Sequence, residues 1–236
     1  MKILIIIPSY NEASNIVNVI ESLKSENPKW DIIVINDCSM DNTGDIAEST
    51  GKAYVLNLPV NLGIGGAVQT GFKYAKRVNY DIAIKFDGDG QHIASEIYKL
   101  LNPIVNGEAD VVIGSRFCER NKVFKSTFTR RIGIKILEIV NSLLIKQRIT
   151  DNTSGFIAFN KKAIHFFADY YPTDYPEPES IVILGKNGFK IKEIPTVMQM
   201  RQGGVSSIKG CKSIYYMLKV LLSVFMSIIR KKIVKE

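Results

Sequence analysis

The sequence has few residues that bind metals through sulfur or imidazole. Its 236 residues include three cysteines, Cys38, Cys118 and Cys211, which lie far apart and form no Cys-x-x-Cys pair. The two histidines are His92 and His165. These counts argue against a disulfide framework and against a zinc site. An odd number of thiols fits a reducing, cytoplasmic compartment.

Long apolar runs are also missing. The run from Ile3 to Ile7 is too short for the apolar region of a signal peptide, so we expect none and interpret this run as a buried first strand. No later segment reaches the ~20 uninterrupted apolar residues of a comfortable membrane span. The sequence also contains no Walker A, HExxH or GxSxG pattern, which argues against the enzyme classes that these motifs mark.

The formal net charge of +8 is distributed unevenly. Residues 116–148 contain nine basic and two acidic side chains, and residues 209–236 contain seven basic and one acidic. Such local basicity indicates a surface that faces an anionic partner, either lipid or nucleic acid, or else solvated helix faces. Few aromatic residues lie among these lysines and no nucleic-acid-binding signature occurs, so we expect no nucleic acid partner.

The first half of the chain alternates strand-like and helix-like segments, which predicts an α/β fold with a mainly parallel, doubly wound sheet. The predicted strands are 2–7, 31–36, 53–58, 81–86, 110–115, 154–159 and about 189–198. The predicted helices are about 13–26, 42–50, 64–78, 94–106, 129–146, from 161, and 212–232. Residues 172–178, with three prolines, are expected to form a loop.

In such a sheet, ligands bind beyond the carboxyl ends of the strands. Polar loops follow the predicted strands there, and they contribute Glu12, Asp37, Asp87 and Asp89 to one sheet edge. Asp87-Gly88-Asp89 is the sharpest signal, because two carboxylates one residue apart repel each other unless a cation lies nearby. Mg²⁺ typically binds one or two carboxylates together with substrate phosphates. The sequence therefore predicts a metal–diphosphate site, with a simple turn as the alternative.

A glycine run at 63–66 matches a dinucleotide-binding fingerprint only loosely, because Val68 occupies the third glycine position. We expect it to be a tight turn that opens a closely packed helix.

Five motifs together carry a resemblance to a known family. They are Pro8-x-Tyr10-Asn11-Glu12, Asn36-Asp37-x-Ser39-x-Asp41-x-Thr43, Asp87-x-Asp89-x-Gln91-His92, Gly114-Ser115-Arg116 and Asp151-x-x-Ser154-Gly155-Phe156. In this order they resemble the family 2 glycosyltransferases of the GT-A fold, a Rossmann-like fold of nucleotide-diphospho-sugar transferases. The subgroup that they resemble is the dolichyl-phosphate mannose synthase-like enzymes, which glycosylate a polyprenyl phosphate. The resemblance extends to about residue 206, nearly the whole chain.

The resemblance implies a role for each matching residue. The nucleotide-sugar would be bound by Pro8, Tyr10, Glu12, Asp37, Asp87, Gly88, Asp89, Arg116 and Arg201. Asp89 would hold Mg²⁺ or Mn²⁺ with support from Gln91, and Arg131 or its neighbour Arg130 would meet the acceptor phosphate. Asp151 would be a general base or an orienting group. The chain departs from the family pattern at Ser207, where a lysine is usual; Lys209 is the nearest substitute.

Two carboxylates, Glu177 and Glu179, lie in the predicted acceptor half. They could supply a base for a hydroxyl acceptor, recognise the sugar, or start a helix, where acidic residues are favoured. All three interpretations are left open by the sequence.

We expect a catalytic domain at 1–210, with a nucleotide-sugar half at 1–116 and an acceptor half at 117–210, followed by an amphipathic basic helix at 211–236. Because its apolar face is very broad, this helix is expected to lie in a membrane interface, dock on a small membrane protein, form a homo-oligomer interface, or pack on the sheet.

Together these features predict a metal-dependent, inverting glycosyltransferase, peripheral on the cytoplasmic face of the cell membrane. It would move a sugar from a UDP- or GDP-sugar to a polyprenyl phosphate for cell-envelope glycan synthesis. The alternative enzyme adds sugar to a hydroxyl of a growing polysaccharide or lipid-linked glycan. A catalytically idle subunit is a further alternative, against which the Asp87/Asp89 pair argues.

Overall fold

The computed structural model describes residues 1–118, 128–145, 147–174 and 176–199, together with Lys219, Leu222, Ser223 and Met226. Of the helix at 128–145, the side chains at 128–134 and 137 lie outside this description. Apart from those four positions, the predicted C-terminal helix also lies outside it, so the boundary at residue 210 stays a prediction.

A seven-stranded sheet forms the centre of the described fold. Its strands in chain order are β1 (Ile3–Ser9), β2 (Asp31–Asn36), β3 (Tyr54–Asn57), β4 (Ile82–Lys85), β5 (Val111–Ser115), β6 (Ile157–Asn160) and β7 (Ile191–Pro195). Across the sheet the order is β3-β2-β1-β4-β6-β5-β7. Every pairing is parallel except those of β6, which is antiparallel to both β4 and β5. The predicted mainly parallel α/β sheet is thus confirmed.

Helices cover both faces of this sheet. They are α1 (Ile16–Glu26), α2 (Thr43–Ser49), α3 (Gly63–Val78), α4 (Ile97–Val105), α5 (Phe128–Ile145), α6 (Lys161–Asp169) and α7 (Pro176–Lys186), and a 3-10 turn at Ala94–Glu96 precedes α4. Alternate residues of β1 enter the two cores: Leu4 and Ile6 pack against α3 and α6, whereas Ile5 and Ile7 pack against α1 and α4. Strands buried on both faces explain why the sequence shows continuous apolar runs there.

Two predicted elements are wrong in their positions. The strand predicted at 154–159 begins instead at Ile157, because Ser154, Gly155 and Phe156 form the segment that leads into it. The loop predicted at 172–178 contains the start of α7 at Pro176. Proline is tolerated in the first turn of a helix, where the backbone N–H has no intrahelical partner.

The glycine run opens α3 as a closely packed helix, as expected. Gly63 begins the helix with a φ of +74°, which favours glycine. A Cβ atom on Gly65 would overlap the backbone carbonyl oxygens of Pro172 and Thr173. The segment that leads from α6 to α7 therefore lies directly against the first turn of α3.

Gly65→Ala is expected to lower the melting temperature, because backbone atoms cannot move aside as a flexible side chain can. Overpacking of this kind costs about 1–3 kcal/mol, and each kcal/mol corresponds to roughly 2–4 °C in a chain of this size. Thermal unfolding followed by circular dichroism measures the shift. Lys73→Ala, an exposed position on the same helix, is the control. Equal melting temperatures for the two variants would contradict the close contact.

Candidate active site

The loops that follow β1 and β2 are tied together by hydrogen bonds from backbone to side chain. The Asn11 N–H donates to Ser39 Oγ at 3.0 Å, and the Met40 N–H donates to Asn11 Oδ1 at 2.8 Å. The Glu12 N–H donates to Thr43 Oγ1 at 2.9 Å. Asn11 has a φ of +57°, a conformation that asparagine tolerates better than most residues. These contacts give the first two motifs a physical reason: each loop supplies the other's hydrogen-bond partners.

Glu12 and Asp37 each form a local contact at this edge. Glu12 Oε2 accepts from Asn15 Nδ2 at 2.7 Å. Asp37 is 4% exposed, and its Oδ1 accepts from the Leu62 N–H at 2.7 Å. Asp37 therefore anchors the loop that opens α3. Tyr10, two residues before Glu12, is 46% exposed.

Asp87 lies between two basic side chains. Its Oδ1 is 3.6 Å from Lys85 Nζ, and its Oδ2 is 3.2 Å from His92 Nε2. Burial raises the pKa of a carboxyl group, but the Lys85 ammonium, followed by His92 and Arg116, outweighs it and holds the pKa of Asp87 well below its usual range. Asp87 is therefore ionised in the folded protein.

The segment before β6 packs directly against the Asp87 carboxylate. A Cβ atom on Gly155 would overlap the Asp87 carboxylate. Ser154 Oγ donates to the Gly114 carbonyl at 2.6 Å, and the Phe156 ring stacks on His92 with centroids 4.9 Å apart. Because β6 is antiparallel, its preceding segment arrives at the same sheet edge at which the parallel strands end. The Ser-Gly-Phe motif thus limits the space in which the Asp87 carboxylate can lie.

Asp89 lies in the turn that follows. Its Oδ1 accepts from the Gln91 N–H at 3.1 Å, and the Gln91 carbonyl accepts from the Gln199 N–H at 2.8 Å. Within the described residues, no group of three or more histidine, cysteine, aspartate or glutamate side chains could hold a metal ion. Asp89 offers one carboxylate here, and the backbone of Gln91 lies next to it. This arrangement fits a hard cation whose other ligands are phosphate and water, and does not fit an all-protein cage.

Arg116 and Asp151 form a buried, two-pronged ion pair. Arg116 Nε and Nη2 each donate to an oxygen of Asp151 at 2.7 Å, and the side chains are 8% and 0% exposed. The Arg116 N–H donates to Asp151 Oδ2 as well, at 3.1 Å, and Nη2 reaches Thr153 Oγ1 at 2.7 Å. Because both Asp151 oxygens face the guanidinium, this arrangement favours the orienting role of Asp151 over the role of a base.

No motif in the sequence points to Lys85, which ends β4 and whose side chain is 1% exposed. Lys85 Nζ contacts Glu177 as well as Asp87. Burial lowers the pKa of a lysine, but the carboxylates of Glu177 and Asp87 raise that of Lys85 above its ordinary value. A lysine within a buried strand is the signal that could have revealed it, since a buried charge needs a partner.

Glu177 and Glu179 both lie in the first turn of α7, so the helix-start interpretation holds for both. Glu179 is 9% exposed. Arg130 and Arg131 belong to the first turn of α5, but their side chains lie outside the described part of the structure. Arg201 lies outside it too, as do Ser207 and Lys209.

Fold and site together define a class of protein. The carboxyl edge of the sheet offers anchored loops after β1 and β2, an Asp-x-Asp turn after β4 and a buried arginine after β5. These are the parts that a transferase of nucleotide-diphospho-sugars needs.

The family model described as glycosyl transferase family 2 matches residues 4–167, and the chain belongs to this family. It is 33% identical to a UDP-N-acetylglucosamine–dolichyl-phosphate N-acetylglucosaminyltransferase of Methanococcus voltae, over 82% of this chain and 84% of the relative. It is 29% identical to a polyprenol monophosphomannose synthase of Mycolicibacterium smegmatis, over 92% and 84%.

Solved structures agree with the fold. Glucosyl-3-phosphoglycerate synthase from Mycobacterium tuberculosis, in complex with Mn²⁺, UDP-glucose and phosphoglyceric acid, superimposes with a TM-score of 0.73. The match covers 96% of this chain and 79% of that one, at 18% identity. At this identity the likeness concerns the fold, which confirms the GT-A architecture.

Gly155→Ala is expected to lower glycosyl transfer by at least about tenfold while the protein stays folded, because the added methyl group displaces the Asp87 carboxylate. Gly188→Ala is the control: it adds the same methyl group in a turn with open space around it, although at a positive φ that Gly155 does not have. Nucleotide release measures activity, and circular dichroism measures folding. Equal activity of the two variants would show that Asp87 does not depend on Gly155.

Proposed function

We propose that this family 2 glycosyltransferase transfers a sugar from a UDP- or GDP-sugar to a polyprenyl phosphate, with inversion at the anomeric carbon. The names of the two relatives support a polyprenyl phosphate acceptor. The alternative is transfer to a hydroxyl of a growing polysaccharide or lipid-linked glycan.

One observation favours the phosphate acceptor. A hydroxyl acceptor needs a general base to remove its proton, whereas an acceptor phosphate is already an anion. Two of the three carboxylates considered for that role are paired with buried cations: Asp151 with Arg116, and Glu177 with Lys85. The third, Glu179, is 9% exposed in the first turn of α7. Both oxygens of Asp151 accept hydrogen bonds from Arg116, and Glu177 Oε1 faces Lys85 Nζ, so these carboxylates are directed at side chains of the protein itself and not at an acceptor hydroxyl. The chemistry of these side chains therefore fits orientation and charge neutralisation.

On the donor side, the loops after β1 and β2 would hold the nucleoside through Pro8, Tyr10, Glu12 and Asp37. Asp87 and Gly88 would lie beside it. Asp89, supported by Gln91, would hold Mg²⁺ or Mn²⁺ against the diphosphate. A bound divalent cation supplies positive charge that stabilises the leaving diphosphate. Arg116 and Arg201 would contact the phosphates.

On the acceptor side, Arg131 or Arg130 would bind the lipid phosphate. An oxygen of that phosphate forms a bond to the anomeric carbon as the bond to the nucleoside diphosphate breaks on the opposite face. The electron pair leaves with the diphosphate, and no proton has to move.

The test is an assay with UDP- and GDP-sugars, Mn²⁺, and either a short-chain polyprenyl phosphate or a soluble glycan. We expect nucleotide release with the lipid phosphate. Asp89→Ala is expected to lower turnover at least about a hundredfold without loss of fold, because Asp89 lies in a turn. Asp45→Ala, an exposed position in α2, is the control. Release only with the glycan would support the alternative acceptor, and a folded, fully active Asp89→Ala protein would contradict the metal site.

The same proposal includes binding of the protein to a membrane surface. None of the described helices is long and apolar enough to cross a bilayer. Ile136, Ile139 and Leu143 are 40%, 51% and 74% exposed, and their spacing puts them on one face of α5. Leu222 and Met226, four residues apart, are 61% and 52% exposed. We propose that this apolar surface and the basic C-terminal segment rest on the cytoplasmic face of a membrane, where a lipid acceptor is reached.

Leu143→Asp is expected to weaken binding to vesicles that contain anionic lipid by about tenfold, which corresponds to the burial of one leucine side chain. Val105→Asp, an exposed apolar position on α4 at the opposite face of the sheet, is the control. Flotation with vesicles measures binding. If both variants bind as the unmodified protein does, α5 does not touch the bilayer, and a small membrane protein or a second copy of the chain becomes the better partner.

A further inference from the structure

Lys85 is a buried charge that the proposed reaction does not yet use. It ends β4, in the centre of the sheet, and 1% of its side chain is exposed. A buried ammonium group costs free energy unless carboxylates compensate it. Lys85 has two, Asp87 at 3.6 Å and Glu177. Since the burial of Lys85 prevents direct contact with a substrate, any effect on the reaction passes through these carboxylates.

The two carboxylates belong to different parts of the site. Asp87 begins the Asp-x-Asp turn, which lies on the donor side. Glu177 lies in the first turn of α7, in the acceptor half of the chain. The segment between α6 and α7 is held against α3 at Gly65. The Lys85 ammonium is thus the point at which the donor turn and the start of α7 meet.

Asp87 has little freedom once Lys85 is in place. Oδ1 faces Lys85, Oδ2 faces His92, and Gly155 lies behind the carboxylate without room for a methyl group. Removal of Lys85 would leave Oδ1 without this partner and Glu177 without its ion pair.

We propose that Lys85 is a positioning residue: its buried ammonium fixes the orientation of the Asp87 carboxylate and ties the donor turn to the first turn of α7. The inference rests on the proposed function in one respect, namely that Asp87 contributes to donor binding. It adds that donor affinity depends on a side chain that no substrate touches.

A purely structural role of Lys85 would give a different experimental result from a positioning role. If Lys85 only stabilised the fold, its loss would lower stability because Glu177 and Asp87, which are partly buried, would both lose their ion pair with the ammonium group. Neutralising Glu177 at the same time removes one of those charges but does not restore a cation beside Asp87. Stability and donor affinity should therefore respond differently to the second substitution.

The experiment compares Lys85→Met, Glu177→Gln and the double variant in the full chain, with Lys76→Met as the matched control. Lys76 forms an exposed ion pair with Asp169 on α3 and α6. Thermal unfolding gives stability. Calorimetric titration with UDP or GDP and Mn²⁺ gives donor-side affinity without an acceptor, and steady-state kinetics separates the donor KM from kcat.

Lys85→Met should lower the melting temperature and weaken nucleotide affinity by at least about tenfold. The double variant should recover much of the melting temperature but keep the weak affinity and the raised donor KM. Glu177→Gln should retain nucleotide affinity to within about threefold, since Lys85 then pairs with Asp87 alone. Lys76→Met should change neither quantity.

Recovery of affinity together with stability in the double variant would reduce Lys85 to a structural role. Unmodified affinity in a folded Lys85→Met protein would overturn the proposal directly. If Lys85→Met does not fold, the double variant alone decides, because its buried charges are better matched. Failure of the proposed function is a separate result: the unmodified chain would bind nucleotide yet transfer no sugar to polyprenyl phosphate.

Discussion

The arrangement of the site depends on one carboxylate, that of Asp87, staying ionised at the end of a buried strand. A carboxylate in such a place is stable only when cations or hydrogen-bond donors face its oxygens. Lys85 and His92 fulfil this requirement, one on each oxygen. A side chain other than hydrogen at position 155 would exclude it sterically. Lys85 in β4, His92 in the turn after it and Gly155 before β6 are therefore all needed to accommodate this one carboxylate.

A second constraint of the same kind operates beside the first. Arg116 is buried with its guanidinium group directed at the Asp151 carboxylate, so the two charges compensate each other. The planar guanidinium still has further N–H groups, one of which reaches Thr153. If Arg116 contacts the phosphates as proposed, it has little conformational freedom left to lose, which is the property that makes preorganised charge effective in phosphate chemistry.

Much of this could be predicted from the sequence, because the determining signals are local. Buried parallel strands appear as apolar runs, and polar residues directly after them mark the ligand-binding edge. Contacts between residues distant in the chain were not visible. Lys85 and Glu177 are 92 residues apart, and no sequence feature near either residue indicates that the two are in contact. The start of α7 was one of several open interpretations, because three prolines suggest a loop although proline is acceptable in a first turn. The strand at β6 was placed three residues early because Phe156 is apolar but belongs to the site.

The two ion pairs also bear on which acceptor the enzyme can use. A base that takes a proton from a sugar hydroxyl needs a carboxylate oxygen that can face that hydroxyl. Asp151 and Glu177 each face a buried basic side chain instead. Such pairs bring fixed charge and fixed geometry, and they bring no proton acceptor. An acceptor that arrives already ionised needs only those two things. The two ion pairs therefore agree better with the proposed lipid phosphate acceptor than with a hydroxyl group.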